Sequence, residues 1–355
     1  MGSGDQAVRD NIAIGKIVRI EGPSEETGTG TANRVVYNED IIGPVESVTV
    51  IDANTRRLVV MGQTVVADAQ TRIDGATLAS IAVGNLVEVS GFINEVGAIE
   101  ATYLRKIAVV FVPGTEVQLR GFASDVNTTL KTFRINLLTV NYATADVGQL
   151  TAGNPAAGQY VEVKGTLTGS TLSATLVRPE DILGVSDADN VQIAGIVTAV
   201  ESPTKFVLNG IPIETDIGTV FKGILAEDIG LGSRLTVRGS LTDRVLLADE
   251  VKSSTQAVLE GNVAIAAGDA ITLSGFGTSI TVETNGLTRF LGAAGSVAEI
   301  GAGDHVKVFG KSFSAGALTA EKVIVRRNPS DRAWLRGPVD EVAPDRTSFS
   351  VLGFE

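Results

Sequence analysis

One histidine and no cysteine stand among 355 residues, and that removes most side-chain chemistry at the outset. Thiolate zinc sites and disulfides need cysteine, and a nucleophile–base pair of the usual kind needs a histidine beside a hydroxyl or thiol. His305 falls at the same repeat position as Ile17, Leu86, Tyr160 and Arg234. A position shared by such different side chains reads as a surface or rim site. No catalytic residue, cofactor-binding residue or metal ligand is assigned, no cofactor is expected, and the chain does not read as an enzyme.

Three short motifs carry weaker signals. Asp187-Ala188-Asp189-Asn190 offers the oxygen ligands that calcium takes. It lacks the glycine and distal glutamate of a full EF-hand loop, so turn chemistry explains it better. Gly275-Phe276-Gly277 has part of the glycine spacing of a nucleotide-binding loop. No helix follows, so it reads as a strand bulge or hairpin turn. Asn127-Thr128-Thr129 matches a glycosylation acceptor, a triplet expected by chance in a chain of this length.

Charge limits the partners. The formal net charge is −12 and aromatic residues make up 5% of the chain. Single-stranded nucleic acid needs a basic groove lined with stacking aromatics, so no nucleic-acid partner is expected. Arg326, Arg327, Arg332, Trp334 and Arg336 form the one basic-aromatic patch. It spans a linker and reads as a solvated segment packing on its neighbours, with an acidic polymer as the lesser alternative. No run approaches eighteen apolar residues, so no membrane span is expected. The start, Met1-Gly2-Ser3-Gly4-Asp5-Gln6, lacks the apolar core of a signal peptide. Either a leader has been removed or Met1 marks an internal boundary.

What remains is a repeat. A glycine-led strand recurs at Gly15, Gly84, Gly158, Gly232 and Gly303, a period of roughly 72 residues. Its clearest copy is Gly84-Asn85-Leu86-Val87-Glu88-Val89-Ser90-Gly91. Each unit opens with another glycine and an alternating strand, at Gly43, Gly121, Gly195, Gly261 and Gly337. Second and third strands follow, and a fifth carries an alanine: Ala101, Ala174, Ala248 and Ala320. The expected organisation is a C-terminal half-repeat over residues 1–36 and whole repeats over 43–110, 116–182, 190–254 and 255–327. An N-terminal half-repeat over 335–355 completes it.

A period of two assigns faces to the fourth strand. Val87 and Val89, Val161 and Val163, Leu235 and Val237, Val306 and Val308, and Val18 and Ile20 point inward. Glu88, Glu162, Thr236, Lys307 and Arg19 lie between them and read as a solvated face. Apolar residues three and six positions ahead of the leading glycine predict one helical turn: Ile81 and Leu78, Ile229 and Ala226, Ile300 and Val297. Pro155 interrupts that spacing in the second unit and predicts an irregular connection there. Five strands with a short helical turn between the third and fourth describe an all-β tandem array of small OB-like barrels. A sandwich is the alternative, and the short linkers predict an elongated arrangement.

The G-x-x-V-x-V-x-G strand followed by an L-x-A strand resembles the bacterial repeats named domain of unknown function 5666. The resemblance covers the four whole units and both halves. It implies a secreted or cell-surface bacterial protein of uncharacterised activity and supplies no catalytic residues.

Half-repeats expose apolar faces and strand edges that natural proteins normally cover. The expectation is therefore a structural subunit of an extracellular or cell-surface filament. Copies of the chain would join head to tail, each half-barrel completed by the next copy. Ile12, Ile17, Val18 and Ile20 would form one side of that interface. Val339, Val342, Phe349, Val351 and Phe354 would form the other. A fragment of a longer surface adhesin or sheath array is the alternative, as is a carbohydrate-binding module with a surface polysaccharide as its ligand.

Overall fold

A computed structural model of the protein describes residues 12–22, 32–37, 40–181, 183–255, 257–274, 279–314, 317–337, 339–343 and 348–351. The chain divides into two compact units, Met1–Asn190 and Val191–Glu355. The first holds the N-terminal strand pair and repeats 1 and 2; the second holds repeats 3 and 4 and the strands that follow them.

Repeat 1 shows how the pattern becomes a barrel. Its first strand, Ile41–Val50, pairs antiparallel with the second, Arg56–Val60, which pairs with the third, Gln63–Ala67. The third strand runs parallel to the fifth, Ile99–Ala108, and the fifth pairs antiparallel with the fourth, Leu86–Ile93. The fourth returns to the first through Ile41↔Val89 and Gly43↔Val87, which closes the ring. Strand order 1-2-3-5-4-1 is that of an OB-type barrel. Repeat 3 closes in the same order, with strands Ala188–Ser202, Lys205–Leu208, Ile211–Lys222, Arg234–Thr242 and Val245–Ser253. Repeats 2 and 4 make the same set of pairings.

Each closing pattern has a physical cause at the two glycines of the fourth strand. The leading glycine adopts a left-handed backbone, at φ 84° for Gly84, 80° for Gly158, 76° for Gly232 and 87° for Gly303. L-residues reach that region only with strain. The closing glycine sits where the fourth–fifth register slips by a bulge: Ser90/Gly91, Lys164/Gly165, Arg238/Gly239 and Phe309/Gly310. A Cβ there would collide with the backbone carbonyl of Glu100, Ser173, Leu247 or Thr319 across the bulge.

The predicted helical turns are present as single 3-10 turns at Leu78–Ser80, Ala226–Asp228 and Val297–Glu299. Ile81, Ile229 and Ile300 follow them into the core. The second repeat keeps a turn at Thr151–Gly153, one position earlier relative to its glycine. It contains Ala152 at φ 52°, so its connection is irregular as Pro155 implied. The inward residues of the fourth strand are buried in every closed barrel. In repeats 1 and 2 they belong to one continuous apolar core with Ile41, Leu58, Leu104, Leu119, Phe133 and Leu172. Repeat 4 has its own core around Leu259, Ile271, Val306, Val308 and Val323.

The N-terminal pair, Val18–Glu21 with Arg34–Tyr37, carries the fourth- and fifth-strand pattern but forms only a two-stranded sheet. Val18 and Ile20 were expected to face inward. They are exposed, Ile20 at 63%, because no first or third strand among the described residues closes a barrel over them.

Candidate functional site

The chemistry of this chain is concentrated where one repeat meets the next. Two junctions use the same device. In the first unit Ile41 lies opposite Leu119 and Ile42 opposite Gln118, so the first strands of repeats 1 and 2 pair antiparallel. The Arg120 N–H donates to the Asp40 carbonyl at 2.8 Å. Gln63 Nε2 donates to the Ile135 carbonyl at 2.9 Å, and Asn136 Nδ2 donates back to Gln63 Oε1 at 2.6 Å. In the second unit the strand Trp334–Arg336 pairs with the first strand of repeat 4, Leu259 opposite Leu335 and Glu260 opposite Trp334. The segment read as a solvated linker is therefore a sheet strand.

Charged residues predicted on a solvated face are instead buried. Glu88 is fully buried; Lys16 reaches it at 2.5 Å and Arg105 Nη2 at 2.5 Å, with Lys16 also over the rings of Tyr37 and Tyr103. Burial and a hydrogen bond to Asp74 push the Tyr103 hydroxyl up to about 12. Glu162 is 1% exposed and pairs with Arg178 and, at 3.4 Å, with Arg120. Thr236 and Arg19 are half-buried. The alternation was right about strand geometry but blind to a second layer. At Glu88 and Lys307 the face turned away from the barrel is covered by a neighbouring segment.

The densest cluster joins repeats 3 and 4. Asp228, from the 3-10 turn of repeat 3, meets Lys307 from the fourth strand of repeat 4, and both side chains are 1% exposed. Arg326 Nη2 holds the other Asp228 oxygen at 3.2 Å. Lys322 Nζ donates to the Asp228 carbonyl at 3.1 Å and to Ser233 Oγ at 2.7 Å, and lies 4.2 Å from the Phe309 ring centre. Burial pushes the Lys322 ammonium down to about 7, against the pull of Asp228 and with added repulsion from Lys307 and Arg289. Glu260 Oε2 is 3.6 Å from Lys307 Nζ, and Trp334 covers that ammonium at 4.4 Å.

His305 belongs to this cluster and is not a rim residue. It is buried, with Nε2 3.1 Å from Glu260 Oε1 and Nδ1 2.9 Å from Asn262 Oδ1. The variety of residues at this repeat position misled; here the ring is held by Glu260 and Asn262 from the first strand of its own repeat. Asp228, Glu260 and Lys322 escaped sequence reasoning, and Lys307, read as solvated, is buried. The available signal was a sign reversal, Glu88 and Glu162 against Lys307, at a position flanked by buried valines.

The residues expected at a polymer interface divide. Ile12 and Val18 are exposed and Ile17 half-buried, its N–H donating to Ser90 Oγ of repeat 1 at 3.2 Å. Val339↔Val351 and Val342↔Phe349 pair in a two-stranded hairpin, with Val342 at 53% exposure and Val351 packed against the repeat 4 core. Phe354 and the motif Gly275-Phe276-Gly277 lie outside the described residues. Asp187 accepts a hydrogen bond from Ser186, and Asp189 and Asn190 open the first strand of repeat 3 instead of lying in a linker. Among the described residues no group of three or more His, Asp or Glu could hold a metal ion, and no helix is long and apolar enough to cross a membrane.

Four OB-type barrels in tandem, the first two joined by strand pairing and the last two by buried charge, define a repeat protein. Domain of unknown function (DUF5666) matches four stretches, residues 42–105, 120–178, 194–252 and 260–324, and the chain belongs to this family. No curated protein matches it. Among solved structures, "drosophila Unr CSD456" is similar over 61% of this chain and 98% of its own, at 10% identity. Its TM-score of 0.15 is too low to bear on fold or function.

Proposed function

We propose that the protein is a structural, non-enzymatic subunit of an extracellular or cell-surface filament. Copies polymerise head to tail as each completes its neighbour's half-barrel. The observation that carries this reading is the complementarity of two strand sets. Val18–Glu21 with Arg34–Tyr37 has the pattern of strands four and five, and Val339–Val342 with Phe349–Val351 that of strands one and two. Neither set closes a barrel among the described residues, and each exposes apolar side chains. Pairing them buries apolar surface at about 25 cal/mol per Å², against the cost of association.

Electron microscopy and light scattering of the full chain test this reading. Concentration-dependent rods that vanish on deletion of residues 337–355 are expected. Monomers alone at high concentration would overturn it. They would favour the other reading, in which further repeats of the same polypeptide complete both halves in a surface adhesin or sheath array. A polysaccharide ligand has no residue-level support beyond the barrel type.

A further inference from the structure

We propose that Asp228 and Lys307 condense into an intramolecular amide that covalently joins repeats 3 and 4, with Glu260 shuttling the proton. The Lys307 amine touches the Asp228 carboxyl, and both side chains are 1% exposed. A reacting pair held in this way has already met most of the entropic cost of encounter.

The third member is placed for proton transfer. Glu260 is 2% exposed. Its Oε1 is held by His305, while Oε2 has no hydrogen-bond partner among the described residues and lies 3.6 Å from Lys307 Nζ. An orphaned buried carboxylate oxygen beside an amine needs an explanation, and acting as a base supplies one. Arg326, at 3.2 Å from Asp228 Oδ1, stands where the tetrahedral intermediate develops negative charge. Trp334 and Phe309 cover Lys307 at 4.4 and 5.8 Å from their ring centres and keep out bulk water.

The step balances without an added reagent. Glu260 takes a proton from the ammonium, and the freed Nζ lone pair attacks Asp228 Cγ. Glu260 passes that proton, and then a second one taken from Nζ in the tetrahedral intermediate, to one Asp228 oxygen; the C–O bond breaks, and one water leaves. One ammonium and one carboxylate become one neutral amide. Two buried ions are costly even when paired, so their removal favours product, and the dry site disfavours hydrolysis. Only repeat 4 has an amine here, the equivalent residues being Glu88, Glu162 and Thr236. The cross-link stands whether or not the chain polymerises.

Intact-mass spectrometry of the folded, full-length chain decides the matter. The expected mass is one water below that of the sequence, and proteolysis should release a branched peptide containing Asp228 and Lys307. A natively folded wild-type chain at full sequence mass would overturn the proposal, whatever the variants do. Lys307→Arg and Glu260→Gln should keep their full masses, while Asp228→Asn should reach the wild-type product by losing ammonia. Complete cross-linking in Glu260→Gln would overturn the role given to Glu260.

Discussion

Ile41 lies directly opposite Leu119 across the junction of repeats 1 and 2, and each residue stands two places before the opening glycine of its own repeat. Leu259 and Leu335 meet in the same way at the junction beyond repeat 4. Repeats 1 and 2, and repeat 4 with the strand that follows it, are thus coupled through a local two-fold relationship between equivalent strands. Leu335→Asp places a carboxylate against the repeat 4 core and loosens Trp334–Arg336 without touching the closed barrel. Limited trypsinolysis at Arg336 should accelerate about tenfold; an unchanged rate would show that the strand is held by other contacts.

The closing glycine of the fourth strand is required by the bulge beneath it. Gly239→Ala pushes a methyl into the Leu247 carbonyl and should destabilise the second unit by about 1–3 kcal/mol. Gly286→Ala, where the added carbon meets nothing within 4 Å, should stay within about 0.5 kcal/mol of wild type. Urea unfolding of both variants makes the comparison.

Lys16 tethers the N-terminal strands to repeat 1 through the buried Glu88. Lys16→Met leaves Arg105 as the main counter-charge, and the loss should cost about 1–3 kcal/mol. Hydrogen exchange of residues 12–22 should quicken while the repeat 1 core stays protected. Uniform loss of protection would mean that the segment is integral to that barrel's folding.

Lys322 sets a pH dependence. Its folded-state value is lowered to about 7 from 10.5, so between those values the unfolded chain binds the extra proton. Stability of the second unit should therefore rise with pH from about 7 towards 10.5, by at most about 1.4 kcal/mol per unit, and be flat below. Burial is the largest cause and acts whether or not Asp228 and Lys307 are joined. Lys322→Met should abolish the slope in thermal unfolding followed across this range.

Much of the barrel was legible in sequence. Val87 and Val89, with their counterparts, declared the core face by alternation, and Ile81, Ile229 and Ile300 marked the turn before it. Pro155 correctly flagged the irregular connection. The buried charges were not legible, since the period of a strand reports one face at a time. What covers Glu88 is Lys16, 72 positions earlier; what meets Lys307 is Asp228, 79 positions earlier. His305 was misread because Glu260 and Asn262, which hold it, lie 45 and 43 positions earlier on the first strand of the same repeat. The interface between repeats is written in pairs of distant residues that no local window contains.

Coupling like strand to like strand has a consequence for synthesis and for rearrangement of the gene. Every opening strand offers much the same row of amide and carbonyl groups, so the choice of partner is not encoded by side chains alone. Proximity must make the selection: the short tether over residues 109–115 keeps repeat 2 at high local concentration beside repeat 1. Lengthening that tether with a flexible insert should let opening strands from separate molecules compete for each other, converting orderly neighbours into exchanged, tangled ones.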